Sequence, residues 1–311
     1  MLSSQSGHIV STYYAPRGRR RIFELGIQLA QLYLSPFDLI IGVIGEAGSG
    51  KSALIKGMFP GLELTNDDDG VNVRPLPLLE QDMETGFFSP HTYHVDIRFE
   101  TGFTSMNRLA DAILEAVNRG KRVVIEHFDL VYPMLGRNAD LLIGVGGQIL
   151  ITRPNLFGPH PQEIYDNVYS SLPYRLMAHT AEDLCEFCLS PEDKARCEYS
   201  DVRHGFIIAF PGQEPTFDLR EMEKKVQGMI DQALPVTYLD EGHITIGDAI
   251  HPCTGPRTHV HNTSQIKNFH LLYRFLYDQQ TKRWLMVGCV GDGSPERLAK
   301  LEDLNPCIQY N

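Results

Sequence analysis

The stretch Gly45–Ser52, GEAGSGKS, decides how the first half of this chain is read, because it fulfils the pattern GxxxxGK[ST]. Its flanks give the pattern a mechanical meaning. Before it, Asp38–Ile44 (DLIIGVI) is a short, nearly all-apolar and β-branched run suited to a strand buried on both faces, and after it Lys51–Phe59 (KSALIKGMF) carries helix formers with an apolar stripe. Strand, glycine loop and helix in that order form a P-loop, a cradle for phosphate. Gly45, Gly48 and Gly50 let the backbone curl, so that N–H groups along Glu46, Ala47, Gly48, Ser49 and Gly50 face one anion at the positive end of the new helix. Lys51 is placed to reach the outer phosphates and Ser52 to ligand Mg²⁺, so the expected cofactor is ATP or GTP with Mg²⁺.

Working outward, Arg20–Leu34 has apolar residues at helical spacing, and residues 8 to 14 (HIVSTYY) read as a strand. The cluster Arg17, Arg19, Arg20 and Arg21 reads as a solvated helix start. Beyond the loop helix, Leu62–Thr65 is a candidate strand running into Asn66, Asp67, Asp68 and Asp69. Carboxylates at a strand's carboxyl end face the crevice where open parallel sheets bind ligands. The arrangement resembles small-metabolite kinases of the uridine kinase type, and that resemblance implies Asp67 or Asp68 as the base that takes the acceptor hydroxyl's proton. Met106–Val117 reads as a helix and Lys121–Ile125 (KRVVI) as the next buried strand. It closes on Glu126, with Asp129 shortly after, the acidic strand end that completes a Mg²⁺ shell. Asp140–Val145 and Gln148–Thr152 are further strands, and the proline-rich run Arg153–Pro161 reads as a linker.

The chain has 311 residues, 42% of them hydrophobic and 22% charged, enough for two cores in an ordinary globular protein. Its net charge of −11 argues against a broad electrostatic grip on nucleic acid, while leaving room for a transient visit by tRNA. No apolar run approaches the roughly 20 residues that span a bilayer, and MLSSQSGHIV lacks the regions of a signal peptide, so a cytoplasmic protein without a membrane partner is expected. Three of the six cysteines fall between Cys185 and Cys197. In a reducing compartment that clustering favours metal or reduced thiols over disulfides. Cys185, Cys188, Cys197 and His204 therefore form one candidate zinc set, with three inert thiols as the alternative.

In the second half, Tyr174–Phe187 and Phe217–Ala233 read as helices, Gly205–Phe210 as a strand, and histidines crowd residues 243 to 270. The stretch His251–Leu272, HPCTGPRTHVHNTSQIKNFHLL, resembles the carboxyl-terminal signature of the second additional domain shared by alanyl- and threonyl-tRNA synthetases and free-standing alanyl-tRNA editing proteins. Arg220–Val236 is similar to the segment that precedes that signature, and Ala178–Leu184 (AHTAEDL) is similar to the family's HxxxH motif. The resemblance spans residues 165 to 311. It implies a cleft in which His179, Asp183, Cys253 and His259 hold a zinc ion or a water that hydrolyses the ester of a wrong amino acid on tRNA. Two departures stand out: Asp183 replaces the second histidine, and Arg257 and Thr258 lengthen CxxxH to CxxxxxH.

The expected architecture is an α/β P-loop domain with a mainly parallel sheet over residues 1–158, followed by an α+β domain of the synthetase editing type over residues 159–311. Three function classes follow. One is a nucleotide-dependent phosphotransferase or NTPase, with Lys51 and Glu126 at its catalytic centre; the second is a metal-dependent aminoacyl-tRNA deacylase gated by nucleotide; the third is a sensor of tRNA, its aminoacylated end or a free amino acid. No oligomeric signature is present.

Overall fold

A computed structural model describes residues 10–64 and 91–293 of the chain. Asp67, Asp68 and Asp69 lie outside the described residues, as does most of the acidic loop expected to follow a strand at Leu62–Thr65; residues 62–64 themselves carry no regular structure. The chain divides into two compact units, one of Met1–Thr12 and Ile22–Ser170, the other of Tyr13–Arg21 and Ser171–Asn311. The division therefore falls twelve residues later than the sequence suggests, with an amino-terminal segment joining the second unit. The reason is local. Arg153 forks onto Asp38 at 2.6 and 2.9 Å, which fastens the start of the proline-rich run to the first unit. The helix that follows then runs unbroken from Pro161 to Cys188, with Pro173 inside it.

The first unit holds most of β1 (Val10–Tyr14) and α1 (Arg19–Tyr33), then β2 (Ile40–Ile44), α2 (Lys51–Met58), β3 (Thr92–Asp96), α3 (Ile97–Glu100), α4 (Met106–Asn118), β4 (Arg122–Glu126), α5 (Phe128–Leu135), β5 (Leu141–Val145) and β6 (Gln148–Thr152). The sheet order is β1-β6-β5-β2-β4-β3. β5, β2, β4 and β3 run parallel, whereas β6 turns back antiparallel on β5. β2 and β5 are buried at every position, as strands covered on both faces must be. Ile113, Ala116 and Val117 of α4 and Phe128 and Val131 of α5 join Ile40, Val123 and Ile125 in one core. Gly42 in β2 lets Phe128 in, since a Cβ there would lie 2.6 Å from the ring. β2 and β4 consequently end side by side, and so do β4 and β3, which brings Ile44, Glu126 and Asp96 to one edge of the sheet.

The second unit holds most of α6 (Pro161–Cys188), then α7 (Pro191–Arg196), β7 (Glu198–Val202), β8 (Gly205–Pro211), α8 (Leu219–Asp231), β9 (Val236–Asp240), β10 (His243–Ile246), β11 (Ala249–Pro252), β12 (His270–Leu271), β13 (Leu276–Asp278) and β14 (Arg283–Cys289). β12, β14, β8 and β7 form an antiparallel sheet with β13 also on β14, and β11-β10-β9 form a second. Phe206, Ile208 and Phe210 of β8 share a core with Met222, Val226 and Ile230 of α8 and with Ala181, Leu184 and Cys185 of α6. Apolar residues of α6 face this core, and the helical repeat sets His179, Asp183 and Glu186 along a neighbouring stripe. Among the described residues, no helix is long and apolar enough to cross a membrane.

Candidate functional site

The glycine loop lies between β2 and α2 in the first unit. Gly48 and Gly50 take φ of 77° and 98°, backbone that glycine adopts without strain. Gly45 passes so close to β5 that a Cβ would lie 2.3 Å from the Val145 carbonyl oxygen. No side chain caps the amino end of α2. Lys51 is buried, donates to the Glu46 carbonyl at 2.9 Å, and lies 3.8 Å from Glu126 Oε2. Ser52 Oγ donates to Glu126 Oε1 at 3.1 Å, and His94 Nε2 meets the same oxygen at 3.2 Å. The Glu46 side chain is held at the loop by Arg98 and Tyr165.

The electrostatics follow from burial. Burial alone would raise the Glu126 carboxyl, but the hydrogen bond from His94, the nearby Lys51 and the Ser52 hydroxyl outweigh it and hold the group below its ordinary value. Burial lowers the Lys51 ammonium even though Glu126 and Asp96 pull the other way. His127, in left-handed backbone just after β4, is pushed down to about 4 by burial and by Lys51 and Arg98. Asp96, Glu126 and His127 each offer a buried ligand atom within 4.8 Å of the others, a group able to hold a metal ion. Asp129 is raised by burial and lies outside that group.

The second site lies wholly in the second unit. His179 and Asp183 stand one turn apart on α6, Cys253 directly follows β11, and His259 comes after a turn closed by the Thr258 N–H on the Gly255 carbonyl at 3.0 Å. Cys253 Sγ is 3.2 Å from His259 Nε2 and 3.6 Å from His179 Nε2; Asp183 Oδ2 is 3.5 Å from His259 Nε2, and Asp183 Oδ1 is 4.0 Å from His179 Nε2. All four residues are buried, and their ligand atoms lie within 4.8 Å of one another. Arms of about 2.0–2.3 Å, as zinc takes with N, O and S, give tetrahedron edges of about 3.3–3.6 Å, close to these separations. The four residues are geometrically able to hold one metal ion.

Hydrogen bonds around the cluster fix which imidazole nitrogen is bare. The Thr180 hydroxyl gives its proton to the Leu176 carbonyl at 2.9 Å and accepts the Val260 N–H at 3.1 Å. Only an acceptor lone pair is left for His259 Nδ1 at 3.3 Å, so Nδ1 carries the hydrogen and Nε2 turns a lone pair toward Cys253 and Asp183. Thr258 does the same for His179. Its hydroxyl donates to the Gly255 carbonyl at 2.7 Å, while His179 Nδ1 meets the Thr258 carbonyl at 3.0 Å and the Thr258 hydroxyl at 2.7 Å. Burial holds both imidazoles neutral, His259 down at about 3. Burial, with Glu182 and Glu186 nearby, pushes the Asp183 carboxyl well up, and burial beside Asp183 pushes the Cys253 thiol up.

Behind Asp183 the arginine run departs from its sequence reading as a solvated face. Arg17 is 1% exposed and pairs with Glu182 at 3.0 Å and Asp201 at 2.6 Å, and Arg21 reaches Asp201 and the Tyr199 carbonyl; Arg19 and Arg20 are exposed. Burying that guanidinium is tolerable because two carboxylates and the Ser200 carbonyl meet it.

The other zinc set does not assemble. Cys185 lies in the apolar core, Cys188 closes the same continuous helix, Cys197 donates to the Tyr199 hydroxyl at 3.0 Å, and His204 stacks on Tyr174 with ring centroids 3.8 Å apart. The ligand atoms of these four residues do not converge within 4.8 Å as those of the first set do. Sequence reasoning also missed His94 and Asp96 at the sheet edge, Thr180 and Thr258 behind the imidazoles, and Glu186, which forms a further ligand group with Asp183 and with His251, one of the histidines that crowd the carboxyl half. The available signal was position: Glu186 follows Asp183 by three residues on a helix, and His251 precedes Cys253 by two. No protein-family model matches the chain, and no curated protein matches it in sequence.

Proposed function

We propose that the first unit is a P-loop module that binds ATP or GTP with Mg²⁺ and acts as a phosphotransferase or NTPase. The observation that carries this reading is the convergence of Lys51 and Ser52 on Glu126 at adjoining strand ends. Lys51 would exchange its contact with the Glu46 carbonyl for phosphate oxygens, and the N–H groups opening α2 would receive the same anion. Ser52 and Glu126 would hold Mg²⁺, whose charge, when bound, offsets that of the phosphates. Glu126, kept ionised by its neighbours, is ready for that duty without losing a proton. The test is equilibrium binding of ATP and GTP to the full chain with Mg²⁺, beside Lys51→Ala and Ser52→Ala. Binding should fall at least tenfold in Lys51→Ala, and Ser52→Ala should lose the Mg²⁺ dependence; equal binding by all three proteins rejects the reading.

A second reading rests on the buried set of His179, Asp183, Cys253 and His259. It is an editing-type module that holds zinc and acts on aminoacyl-tRNA, either cleaving the ester or sensing the charged end. Two neutral imidazoles, a thiolate and a carboxylate suit zinc, which would supply Lewis acidity were one of the four donors exchanged for water or substrate. Release of amino acid from correctly and wrongly charged alanine and threonine tRNAs, with and without ATP and Mg²⁺, tests it against Cys253→Ala. Deacylation lost in the variant supports a hydrolase. No release above the tRNA blank rejects hydrolysis and leaves binding of the charged end to be measured directly.

A further inference from the structure

Asp183 has a second set of neighbours. Its Oδ2 atom, 3.5 Å from His259 Nε2, also lies 4.0 Å from His251 Nε2, and His251 Nε2 is 3.8 Å from Glu186 Oε2. Asp183, Glu186 and His251 each bring a ligand atom within 4.8 Å of the others. The His251 side chain is 3% exposed, and both its Nε2 atom and Asp183 Oδ2 are buried with no hydrogen-bond partner. An imidazole nitrogen and a carboxylate oxygen left orphaned toward one another are costly unless something stands between them.

From this geometry we infer that the second unit holds two divalent metal ions bridged by the Asp183 carboxylate, one in the His179, Cys253 and His259 set and one against His251 and Glu186. The inference rests on the metal-holding reading of the four-residue set and extends it. A carboxylate has two oxygens and about four lone-pair sites, so one Asp can serve both ions. The two positions differ in character. The first is closed by four protein donors, as in structural sites, whereas the second has three protein donors, including a bridging carboxylate, and keeps room for an external ligand. Its nitrogen and oxygen donors suit zinc or cobalt, and Glu186, less buried than the others, marks the side from which a small oxygen ligand enters.

The test is metal stoichiometry of the full chain, stripped with chelator and reloaded with Co²⁺ or Zn²⁺, counted by native mass spectrometry and elemental analysis. In a Glu126→Ala parent, which keeps the Asp96, Glu126 and His127 group of the first unit out of the count, two ions per chain are expected. Glu186→Gln combined with His251→Ala should hold one, with the near-ultraviolet thiolate-to-cobalt band intact, and Cys253→Ser should lose that band. One ion per chain at saturation, with the band present, overturns the second position and leaves the first standing. No bound ion overturns both. Two ions retained in the double variant also overturn the inference, because the second then binds elsewhere. The count on the Glu126→Ala parent decides the matter even where a further variant fails to fold.

Discussion

Replacing Thr180 by Val tests whether the threonine hydroxyls prepare the metal centre. Thr180 is fully buried and serves three groups: it donates to the Leu176 carbonyl at 2.9 Å and accepts from the Val260 N–H at 3.1 Å and from His259 Nδ1 at 3.3 Å. Valine has nearly the same shape, so packing changes little, but two donors lose their acceptor. A buried donor left unpaired costs about 1–3 kcal/mol, and the Val260 N–H has no other acceptor at hand, so the metal-free chain should lose roughly that much stability in urea unfolding. The second effect falls on the metal. With Nδ1 unsupported, the orientation and basicity of His259 Nε2 suffer, and loss of such a supporting partner weakens metal binding by about 10–100-fold. Competition with a chromophoric chelator reads this directly, and Thr180→Ser should restore it. Thr258→Val provides the internal control, since His179 Nδ1 still has the Thr258 carbonyl at 3.0 Å and the affinity loss should be smaller. Equal affinity in Thr180→Val and the parent, or a larger loss in Thr258→Val, would refute the tautomer argument.

Other consequences are sharper in sign than in size. In a His251→Ala background, binding of one ion should release the proton of the Cys253 thiol, which burial pushes up, together with whatever proton the raised Asp183 carboxyl carries, and none from the neutral imidazoles. Affinity then rises by at least about tenfold per pH unit near pH 6; calorimetry in buffers of different ionisation enthalpy counts the protons, and a count of zero contradicts the assignment. His127, held at about 4 against 6.5 when unfolded, binds its proton more readily in the unfolded chain, so its contribution makes stability fall as pH drops from 6.5 to 4. His127→Asn, which tolerates the left-handed backbone, should flatten that limb by at most about 1.4 kcal/mol per pH unit, less whatever solvent screens; an unchanged slope in urea titrations counts against it. Arg17→Met leaves Glu182 buried, and Asp201 half-buried, without their guanidinium and should destabilise the chain by about 3–5 kcal/mol, whereas a loss below about 1 kcal/mol would mean that the pair is dispensable.

Legibility tracked the kind of signal each element carries. β2 and β4 are announced by apolar β-branched runs because both faces of those strands are buried. β3, with sequence TYHVD, hides for the opposite reason: His94 and Asp96 are buried through partners, Glu126 for one and the Phe99 N–H for the other, and no pattern in the residues alone predicts such pairing. The acidic run after Leu64 therefore looks like the better strand end, although the sheet edge beside β4 is formed by β3. The continuity of α6 through the proline-rich approach was equally hidden. Arg153 marks a linker by its neighbours, yet its ion pair with Asp38 ties it down, and a partner 115 residues away cannot be read from spacing.

The metal set is the instructive case, because both departures from the resembled motif acquire a physical role. With Asp183 in place of a histidine, the set of two neutral imidazoles, one thiolate and one carboxylate carries two negative charges and cancels a divalent ion inside a buried pocket, where any uncancelled charge is expensive. A third imidazole in its place would have left the filled site positive. The lengthened spacing between Cys253 and His259 does not push His259 out of line, and His261 stays exposed on the following turn. The added length instead forms the turn from Gly255 to Thr258, and Thr258 is the residue that fixes the His179 tautomer. A Cβ at position 255 would come within 2.9 Å of His179 Cε1 and of Thr258 Oγ1, so the turn needs glycine at its start. Gly255→Ala should therefore weaken metal binding through His179 while leaving the His259 support from Thr180 in place; chelator competition that finds no change would show that the turn is only a spacer.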